Sequence, residues 1–319
     1  MSTRKLLIDT AGRIFEDCCS KESLDDAERG SFPEDLWQLL RDNGLHQLAM
    51  RDSGVDLGDA FALIKHSGRF AVPLPILELT MANRWLGGSD RFVSIGVVDG
   101  SRIVGVPWGR RADSVLGVRA DGPMLLVDAK RASWTNSTNP AGEARDTVSA
   151  AGATEIADSE QAWEVMALGR ALLMAGCLER VLELSVRYVN ERKQFGRTLA
   201  KFQAIQHSLA IMAAEVAASS CAADAAAAAL DAGGRDRFAL AVAAAKARVG
   251  EACGAVAEIA HQVHGAIGFT HEHQLHHFTR RLWSWRDEYG SEPYWQRRLG
   301  RHISARGADR VWDFVTRGT

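Results

Sequence analysis

The chain has 319 residues, and its 38 Lys and Arg against 40 Asp and Glu give a net charge of −2 at pH 7. This near-neutral balance excludes the strongly basic surface typical of proteins that bind nucleic acid or anionic membranes, so neither partner is expected. No apolar run reaches transmembrane length and the first residues lack the apolar core of a signal peptide, which predicts a cytoplasmic protein of two or three domains.

Residues 1–90 predict an N-terminal helical domain. Apolar residues recur at helical spacing, and this spacing predicts helices over 6–15, 36–40, 60–70 and 76–86. The segment from Ser31 to Glu34 is typical of a capped helix start with Pro33 in the first turn. Gly44 is expected to end that helix.

Residues 91–157 predict a small, reduced β domain. Short runs rich in β-branched residues lie at 92–98, 102–106 and 124–127. Asp-Gly and Asn-Pro pairs separate these runs, as expected for turns. The pattern predicts about five strands.

Residues 158–319 predict long helices. Asp158 to Glu160 resembles a helix start, and periodic apolar residues continue to Val189. Further helices are predicted over 213–232, which is rich in alanine and ends at Gly233-Gly234, over 235–261 and over 293–315. The order of helices, small β domain and helices predicts a mainly α fold that ends in a four-helix bundle.

A corner between two of these helices carries the strongest functional signal. It combines a planar cation, two amides and an aromatic ring, which together can hold a diphosphate and its nucleoside: Arg192, Gln194, Phe195 and Gln203. Gly196 is expected to end the preceding helix with a positive φ, and Arg192 and Lys193 are expected in its last turn, where cations favour the helix dipole.

A second motif follows further along the chain, where Gln262, Gly265 and Gly268 precede Phe269. The two motifs, together with the domain order, resemble the acyl-CoA dehydrogenase family. The resemblance implies that FAD lies at a subunit interface and that these motifs hold its ADP half from the neighbouring subunit. It implies pyrophosphate and adenosine contacts for the four corner residues, and a second wall formed by Gln262, Gly265 and Gly268, whose glycines let backbone amides come close.

The Glu that the resemblance leads one to expect as catalytic base is not found at its usual position. Family members that act alone remove a proton from Cα of the acyl thioester with a Glu while the flavin accepts a hydride from Cβ, and that Glu lies in a Tyr-Glu-Gly triplet. The matching triplet here is Glu288-Tyr289-Gly290. Tyr289 therefore occupies the base position, and a phenol of pKa about 10 is a poor base at neutral pH. Glu288 is the nearest carboxylate candidate.

Two other positions are candidates for the base. A minority of the family carries it earlier, at the position of Met166, and Glu164 lies on a different face of that helix. Glu272 matches a Glu that accompanies the true base in the family, for which a structural role is expected. No catalytic residue is therefore assigned from the sequence.

The middle domain also departs from the family. It lacks the Thr-Glu-Pro turn with which self-sufficient members cover the flavin ring, and only Trp134-Thr135-Asn136 is similar to their second flavin segment. A short chain that keeps the ADP motifs without a normally placed base is similar to the degenerate, β-type subunit of α2β2 steroid-CoA dehydrogenases. This implies a larger partner subunit that supplies the base and flavin-ring pocket, shared FAD, a steroid side-chain CoA substrate, and electron-transfer flavoprotein or a similar acceptor.

Two alternative functions stay open. A self-sufficient homo-oligomeric dehydrogenase would use Glu288 as its base, whereas a scaffolding or binding protein would keep the fold without flavin.

Other residue types have simpler interpretations. Six of the ten histidines lie within 261–277, but the spacing is not His-Glu-x-x-His, so a polar interface face is predicted and no metal site. The five cysteines, an odd number, predict free thiols. The last segment carries four tryptophans that are expected in the core or at subunit contacts: Trp283, Trp285, Trp295 and Trp312. Its three arginines are expected on a solvated face: Arg297, Arg298 and Arg301.

Overall fold

The computed structural model describes residues 3–88, 90–157, 160–231, 234–307, 309, 311–312 and 316. Contacts divide the chain into two compact units, Met1–Gly169 and Arg170–Thr319. Helices dominate both units, and a small sheet lies in the first unit. The mainly α class with a small β domain is therefore confirmed, whereas the division at residues 90 and 157 stays a prediction.

Five helices precede the sheet: α1 Thr3–Cys18, α2 Lys21–Glu28, α3 Glu34–Asp42, α4 Leu57–Gly68 and α5 Ile76–Leu86. The four predicted helical segments lie within or overlap α1, α3, α4 and α5. The sequence did not predict α2, because it has eight residues with two buried apolar side chains, Leu24 and Ala27, too few for a periodic pattern.

The predicted cap of α3 is wrong in part. Pro33 occupies the N-cap position, one residue before the first turn, and no side chain caps the helix, so Ser31 does not serve as the cap. The other end is as predicted. Gly44 adopts a φ of 66° immediately after the C-cap residue Asn43, a conformation that glycine reaches without steric cost.

The sheet of the first unit has seven strands: β1 Val93–Asp99, β2 Arg102–Val106, β3 Ser114–Val118, β4 Met124–Asp128, β5 Trp134–Thr135, β6 Asp146–Ser149 and β7 Thr154–Ile156. Their order is β5-β6-β2-β1-β3-β4-β7. β1 and β3 pair in parallel, and the other neighbours pair antiparallel. The estimate of about five strands missed the shortest pairings, because β5 and β7 have only two and three residues.

The remaining helices are α6 Ala162–Glu191, α7 Gln203–Asp231, α8 Arg235–His264, α9 Leu275–Trp285 and α10 Glu292–Arg306. In the second unit α7 packs along α8, which also contacts α9 and α10. The hydroxyl of Ser220 on α7 donates to Glu179 on α6 at 3.0 Å. These contacts form the predicted C-terminal helical bundle.

Parts of three predicted boundaries cannot be compared with the structure. Asp158 and Ser159 of the predicted helix start, Gly233 of the predicted break and residues 313–315 of the last predicted helix lie outside the described residues. Among the described residues, the helical segment Gln203–Leu230 is long and apolar enough, by length and composition alone, to cross a membrane. Its apolar character comes largely from alanine, and it packs along α8. The absence of a membrane partner stays a prediction.

Candidate functional site

The segment between α6 and α7 forms a tight β-hairpin rather than a simple helical corner. Its two short strands, β8 Lys193–Gln194 and β9 Arg197–Thr198, pair antiparallel. Phe195 and Gly196 form the turn with φ values of 51° and 77°. Two successive positive φ angles are typical of a type I′ turn, whose twist matches that of the paired strands. The hairpin therefore projects the aromatic ring of Phe195 from its tip.

This geometry corrects the predicted helix ending. α6 already ends at Glu191, so Lys193 lies in β8 and Gly196 serves the hairpin turn instead of stopping the helix. Arg192 links the two structures through its backbone: its N–H donates to the carbonyl of Tyr188 at 2.8 Å, and its carbonyl accepts from the N–H of Leu199 at 2.9 Å. The base of the hairpin is thereby tied to the last turn of α6.

The predicted binding side chains of this corner are exposed and available. Within the described residues, the side chains of Arg192, Gln194 and Gln203 make no hydrogen bond or ion pair, and all three residues are exposed. Phe195 is 89% exposed. Its ring meets that of Phe202 edge-on at a centroid distance of 6.2 Å, and the Arg197 guanidinium lies 4.1 Å from the Phe202 centroid. The ring of Phe195 is therefore accessible to a ligand from solvent.

The second motif forms the end of α8 and a following 3₁₀ turn, Gly265–Phe269. Gly265 caps α8 with a φ of 64°, and the side chain of Gln262 is exposed without a partner among the described residues. A Cβ on Gly268 would lie 2.9 Å from Cβ of His264, so only glycine fits there without a shift. Gly268 therefore has a packing role, whereas its contact with FAD stays a prediction.

An aromatic stack joins the two motifs. The rings of Tyr188, on the last turns of α6, and His264, on the last turn of α8, lie 4.5 Å apart with an interplanar angle of 24°. Nδ1 of His264 donates to the carbonyl of Ala260 at 2.7 Å, because a carbonyl can only accept. Burial lowers the pKa of His264 to about 4, so the ring is neutral at physiological pH.

The triplet expected to carry the base contains an ion pair. Nη2 of Arg170 lies 2.7 Å from Oε2 of Glu288, and the Arg170 side chain is 4% exposed. The same guanidinium lies 5.6 Å from the ring centroid of Tyr289 and 5.8 Å from that of Trp285. Tyr289 is buried with a φ of 56°, an uncommon conformation for a residue with a Cβ. The carboxylate nearest the expected base position is therefore already engaged by a cation of the same chain.

A buried lysine fixes the backbone of this turn. Nζ of Lys246, on α8, donates to the carbonyls of Arg286 at 3.1 Å and Glu288 at 2.9 Å. Burial lowers the pKa of Lys246 to about 8, and the nearby charge of Arg170 contributes in the same direction. Burial also raises the pKa of the neighbouring Cys253 thiol to about 12, which makes it an unreactive structural thiol.

A second ion pair lies beside this lysine. Arg286 contacts Oε1 of Glu292 through Nε at 2.8 Å and Nη2 at 2.7 Å. A Cβ on Gly250 would come within 2.5 Å of the Glu292 side chain, so glycine leaves the space in which this carboxylate sits. Sequence reasoning missed this whole charge cluster. The available signal was Lys246 itself, a charged residue at the centre of the alanine-rich run of α8.

Comparison with known proteins gives the family. Residues 159–298, which include the hairpin, the second motif and the charge cluster, match the acyl-CoA dehydrogenase C-terminal domain. This segment belongs to the acyl-CoA dehydrogenase family. This membership supports an oxidoreductase.

Individual relatives extend the match over most of the chain. An acyl-CoA dehydrogenase of Mycolicibacterium smegmatis, IpdE2, is 28% identical over 298 residues, which are 87% of this chain and 91% of the relative. A chain of the ChsE4-ChsE5 complex of Mycobacterium tuberculosis has a TM-score of 0.86 at 20% identity, covering 97% of this chain and 99% of that chain. A Tcur3481-Tcur3483 steroid ACAD variant has a TM-score of 0.82 at 24% identity, covering 95% and 98%. The two solved structures establish the acyl-CoA dehydrogenase fold.

The other candidate positions for the base differ in burial. Met166 and Glu164 on α6 are both buried, and Met166 has no ionisable group. Glu272 is exposed and makes no side-chain hydrogen bond or ion pair among the described residues, so its structural role stays a prediction. In the first unit, Trp134 lies in β5, and its indole N–H donates to the carbonyl of Ala129 at 3.0 Å.

The histidine-rich segment does not form the predicted polar face. His261, His264, His276 and His277 are buried, and His261 stacks on the ring of Phe269 at 4.4 Å. Imidazoles count as polar in a sequence pattern, although a buried imidazole can pack against an aromatic ring, as His261 does. Trp285 and Trp295 lie in the core, and Arg297 and Arg301 are exposed, all as expected. Trp283 and Trp312 are exposed, so their place in a subunit contact stays a prediction. Arg298 places its guanidinium 5.3 Å from the centroid of the Trp295 ring.

Proposed function

We propose that this chain is the ADP-holding subunit of a hetero-oligomeric, FAD-dependent acyl-CoA dehydrogenase and that a larger partner subunit supplies the catalytic base. The observation that carries the proposal is the hairpin between α6 and α7. Among the described residues, the side chains of Arg192 and Gln194 on this hairpin and of Gln203 at the start of α7 make no hydrogen bond or ion pair, and the ring of Phe195 at the hairpin tip is exposed. Gln262 of the second motif is exposed and unpaired among the described residues in the same way.

The chemistry of this donor set fits the ADP half of FAD. The guanidinium of Arg192 offers a planar fork to two phosphate oxygens, and the three glutamine amides both donate and accept, as ribose and adenine require. Phe195 offers a ring on which adenine can stack. When bound, FAD supplies the acceptor for the hydride that leaves Cβ of the acyl group. The residues of this chain orient the cofactor from its nucleotide end.

The supply of the base by a partner follows from the Arg170–Glu288 pair. If Glu288 accepted a substrate proton, the guanidinium 2.7 Å away, whose side chain is 4% exposed, would lose its counter-charge. Separating a buried ion pair costs about 3–5 kcal/mol because it leaves an uncompensated charge. Tyr289 at the expected base position is a phenol, and Met166 has no acid–base chemistry. We therefore assign no catalytic residue to this chain, and a self-sufficient enzyme based on Glu288 is disfavoured.

The remaining partners are proposed from the relatives. The fold likeness to a steroid ACAD supports a steroid side-chain CoA thioester as the substrate and a place in steroid degradation. The likeness to a chain of the ChsE4-ChsE5 complex supports an α2β2 assembly in which FAD is shared. We propose electron-transfer flavoprotein or a similar protein as the electron acceptor and the cytoplasm as the location. No partnership with nucleic acid or membrane is proposed.

Purification of the chain alone and with a longer acyl-CoA dehydrogenase subunit tests this function. We expect the lone chain to bind FAD only through its ADP end, too weakly to retain the cofactor through purification, and to lack turnover. We expect the co-expressed complex to be yellow and active on steroid side-chain CoA thioesters. Arg192→Ala in the complex should lower flavin content. Arg187→Ala, an exposed arginine of α6 before the hairpin, is the matched control and should not. Stoichiometric flavin and turnover in the lone chain would overturn the proposal, and unchanged flavin content in Arg192→Ala would favour a scaffolding protein.

A further inference from the structure

Tyr188 and His264 lie directly behind the two predicted binding motifs. Tyr188 precedes Arg192 by one helical turn, and His264 lies between Gln262 and Gly265. Their rings stack with centroids 4.5 Å apart. The ring of His273 completes the group, 4.7 Å from His264 and 6.2 Å from Tyr188. The end of α6 and the end of α8 thus meet through aromatic rings.

Backbone hydrogen bonds connect Tyr188 to the hairpin. Its carbonyl accepts the N–H of Arg192 at 2.8 Å, and the carbonyl of Arg192 in turn accepts the N–H of Leu199 on the far side of the hairpin. Both ends of the hairpin are therefore fixed to the turn of α6 that carries Tyr188. A change in the orientation of this turn would displace Arg192 and the amides beyond it.

The second motif packs directly against His264. The hydrogen bond from Nδ1 to the carbonyl of Ala260 fixes the imidazole ring. Gly265 follows His264 directly with a positive φ, and Gly268 packs so closely that a Cβ there would lie 2.9 Å from His264 Cβ. The 3₁₀ turn therefore folds against His264 and follows its position.

We propose that Tyr188 and His264 are positioning residues that set the spacing between the hairpin and the second motif, and with it the affinity for the diphosphate–nucleoside end of FAD. The inference rests on the proposed function and extends it to residues that do not touch the cofactor. A site built from two separate motifs binds more tightly when their spacing is fixed before the ligand arrives, because less conformational freedom is lost on binding.

Titration of the full chain with ADP tests the inference without any need for turnover. Arg192→Ala serves as the reference for loss of a direct contact. Tyr188→Ala and His264→Ala should each weaken ADP binding by about three- to tenfold, the range in which an aromatic pair contributes. Tyr188→Phe, which keeps the ring, should bind within about twofold of the unchanged chain. The double variant should lose less than the product of the two single losses, because both remove one stack.

A matched control separates positioning from general destabilisation. Leu178→Ala removes a buried side chain from the same helix almost three turns before Tyr188. It should lower the melting temperature while leaving ADP affinity unchanged well below that temperature. If Tyr188→Ala does not fold, Tyr188→Leu replaces it.

The outcomes distinguish a failure of the proposed function from a failure of the positioning role of Tyr188 and His264. The proposed function fails, and the inference fails with it, if the unchanged chain does not bind ADP. The same follows if Arg192→Ala binds ADP as tightly as the unchanged chain. If Arg192→Ala weakens binding but the Tyr188 variants bind ADP like Leu178→Ala, the inference alone is overturned. Equal losses for Tyr188→Phe and Tyr188→Ala would likewise exclude a role for the ring stack.

Discussion

Arg170 and Glu288 form a salt bridge of 2.7 Å between Nη2 and Oε2 at the turn where lone-acting family members are expected to carry their catalytic base. The side chains are 4% and 21% exposed, so the pair is largely removed from water. Lys246 holds the backbone of the same turn by donating to the carbonyls of Arg286 and Glu288. The carboxylate thus acts as a counter-ion within the fold, and this arrangement gives testable consequences for stability and activity.

The pair should behave as one energetic unit. Arg170→Met and Glu288→Gln should each lower the free energy of unfolding by about 3 kcal/mol, because either change leaves an opposite charge buried without its partner. The double variant should lose clearly less than the sum of the two. Urea unfolding of the four proteins measures this coupling. Additive losses would show that the two side chains do not depend on each other.

Replacement of Glu288 should not remove catalysis. In the co-expressed complex, Glu288→Gln should keep turnover per bound flavin within about threefold of the unchanged complex, since loss of a general base costs roughly 10²- to 10⁴-fold. Tyr289→Phe keeps the buried ring and is the control for disturbance of the turn. A collapse of turnover in Glu288→Gln, with Tyr289→Phe active, would instead identify Glu288 as the base.

Lys246 should make stability rise with pH just above neutrality. Burial lowers its pKa from 10.5 in the unfolded chain to about 8 in the folded chain. Above pH 8 the unfolded chain therefore holds a proton that the folded chain has released, and the free energy of unfolding increases by about 1.4 kcal/mol for each pH unit. Lys246→Met should lack this increase between pH 8 and 9 in chemical denaturation.

The measurement stops at pH 9 because Cys253 acts in the opposite direction. Burial raises the pKa of its thiol from 9.0 to about 12, so above pH 9 the unfolded chain loses a proton that the folded chain keeps. That difference lowers the free energy of unfolding as the pH rises. Identical slopes for Lys246→Met and the unchanged chain between pH 8 and 9 would contradict the lowered pKa of Lys246.

His264 should produce a loss of stability in acid. Burial lowers its pKa from 6.5 to about 4, so between these values the unfolded chain takes up a proton while the folded ring stays neutral. The free energy of unfolding therefore falls as the pH falls from 6.5 towards 4. His264→Phe, which stays aromatic but does not titrate, should show a shallower fall in pH-dependent denaturation. The exposed His207 offers a control, because His207→Gln should follow the unchanged chain.

The hairpin tip should show a conflict between stability and binding. Phe195 has a φ of 51° and is 89% exposed. Asn adopts this conformation more readily than Phe, so Phe195→Asn should raise the free energy of unfolding of the lone chain by about 1 kcal/mol. The same change should weaken ADP binding, because the ring for adenine is lost. Gly196→Ala should destabilise the turn by about 1 kcal/mol. A stabilised variant with unchanged ADP affinity would remove Phe195 from the binding site.

The sequence predicted those features that depend on local spacing. Helix α5 was placed at its observed bounds because its apolar residues recur at helical spacing up to Gly87, whose φ is 83°. The strand β2 was placed equally well because short β-branched runs between turn pairs are a local signal. The corner residues Arg192, Gln194, Phe195 and Gln203 were identified from their chemistry, and the structure places their side chains in solvent.

Features that depend on which helices meet were missed. Arg170 and Glu288 are separated by most of the bundle in sequence, and neither residue alone indicates an ion pair. The sequence predicts Gly196 at a helix end, whereas the structure places it in a hairpin turn. Both places favour a glycine with positive φ, so the local sequence does not distinguish them. The histidines of 261–277 read as a polar surface in the sequence, because only their packing partners show that four of the rings are buried.

The sequence by itself therefore indicated the family, determined the helical frame and predicted which residues hold a diphosphate and its nucleoside. These follow from side-chain chemistry and from periods of two and 3.6 residues, which are properties of neighbouring residues along one chain. Only the tertiary structure decided that Glu288 is neutralised by Arg170, that Lys246 is buried and that Tyr188 stacks on His264. The physical reason is that charge pairing, desolvation and ring stacking depend on distances in space between residues far apart in sequence.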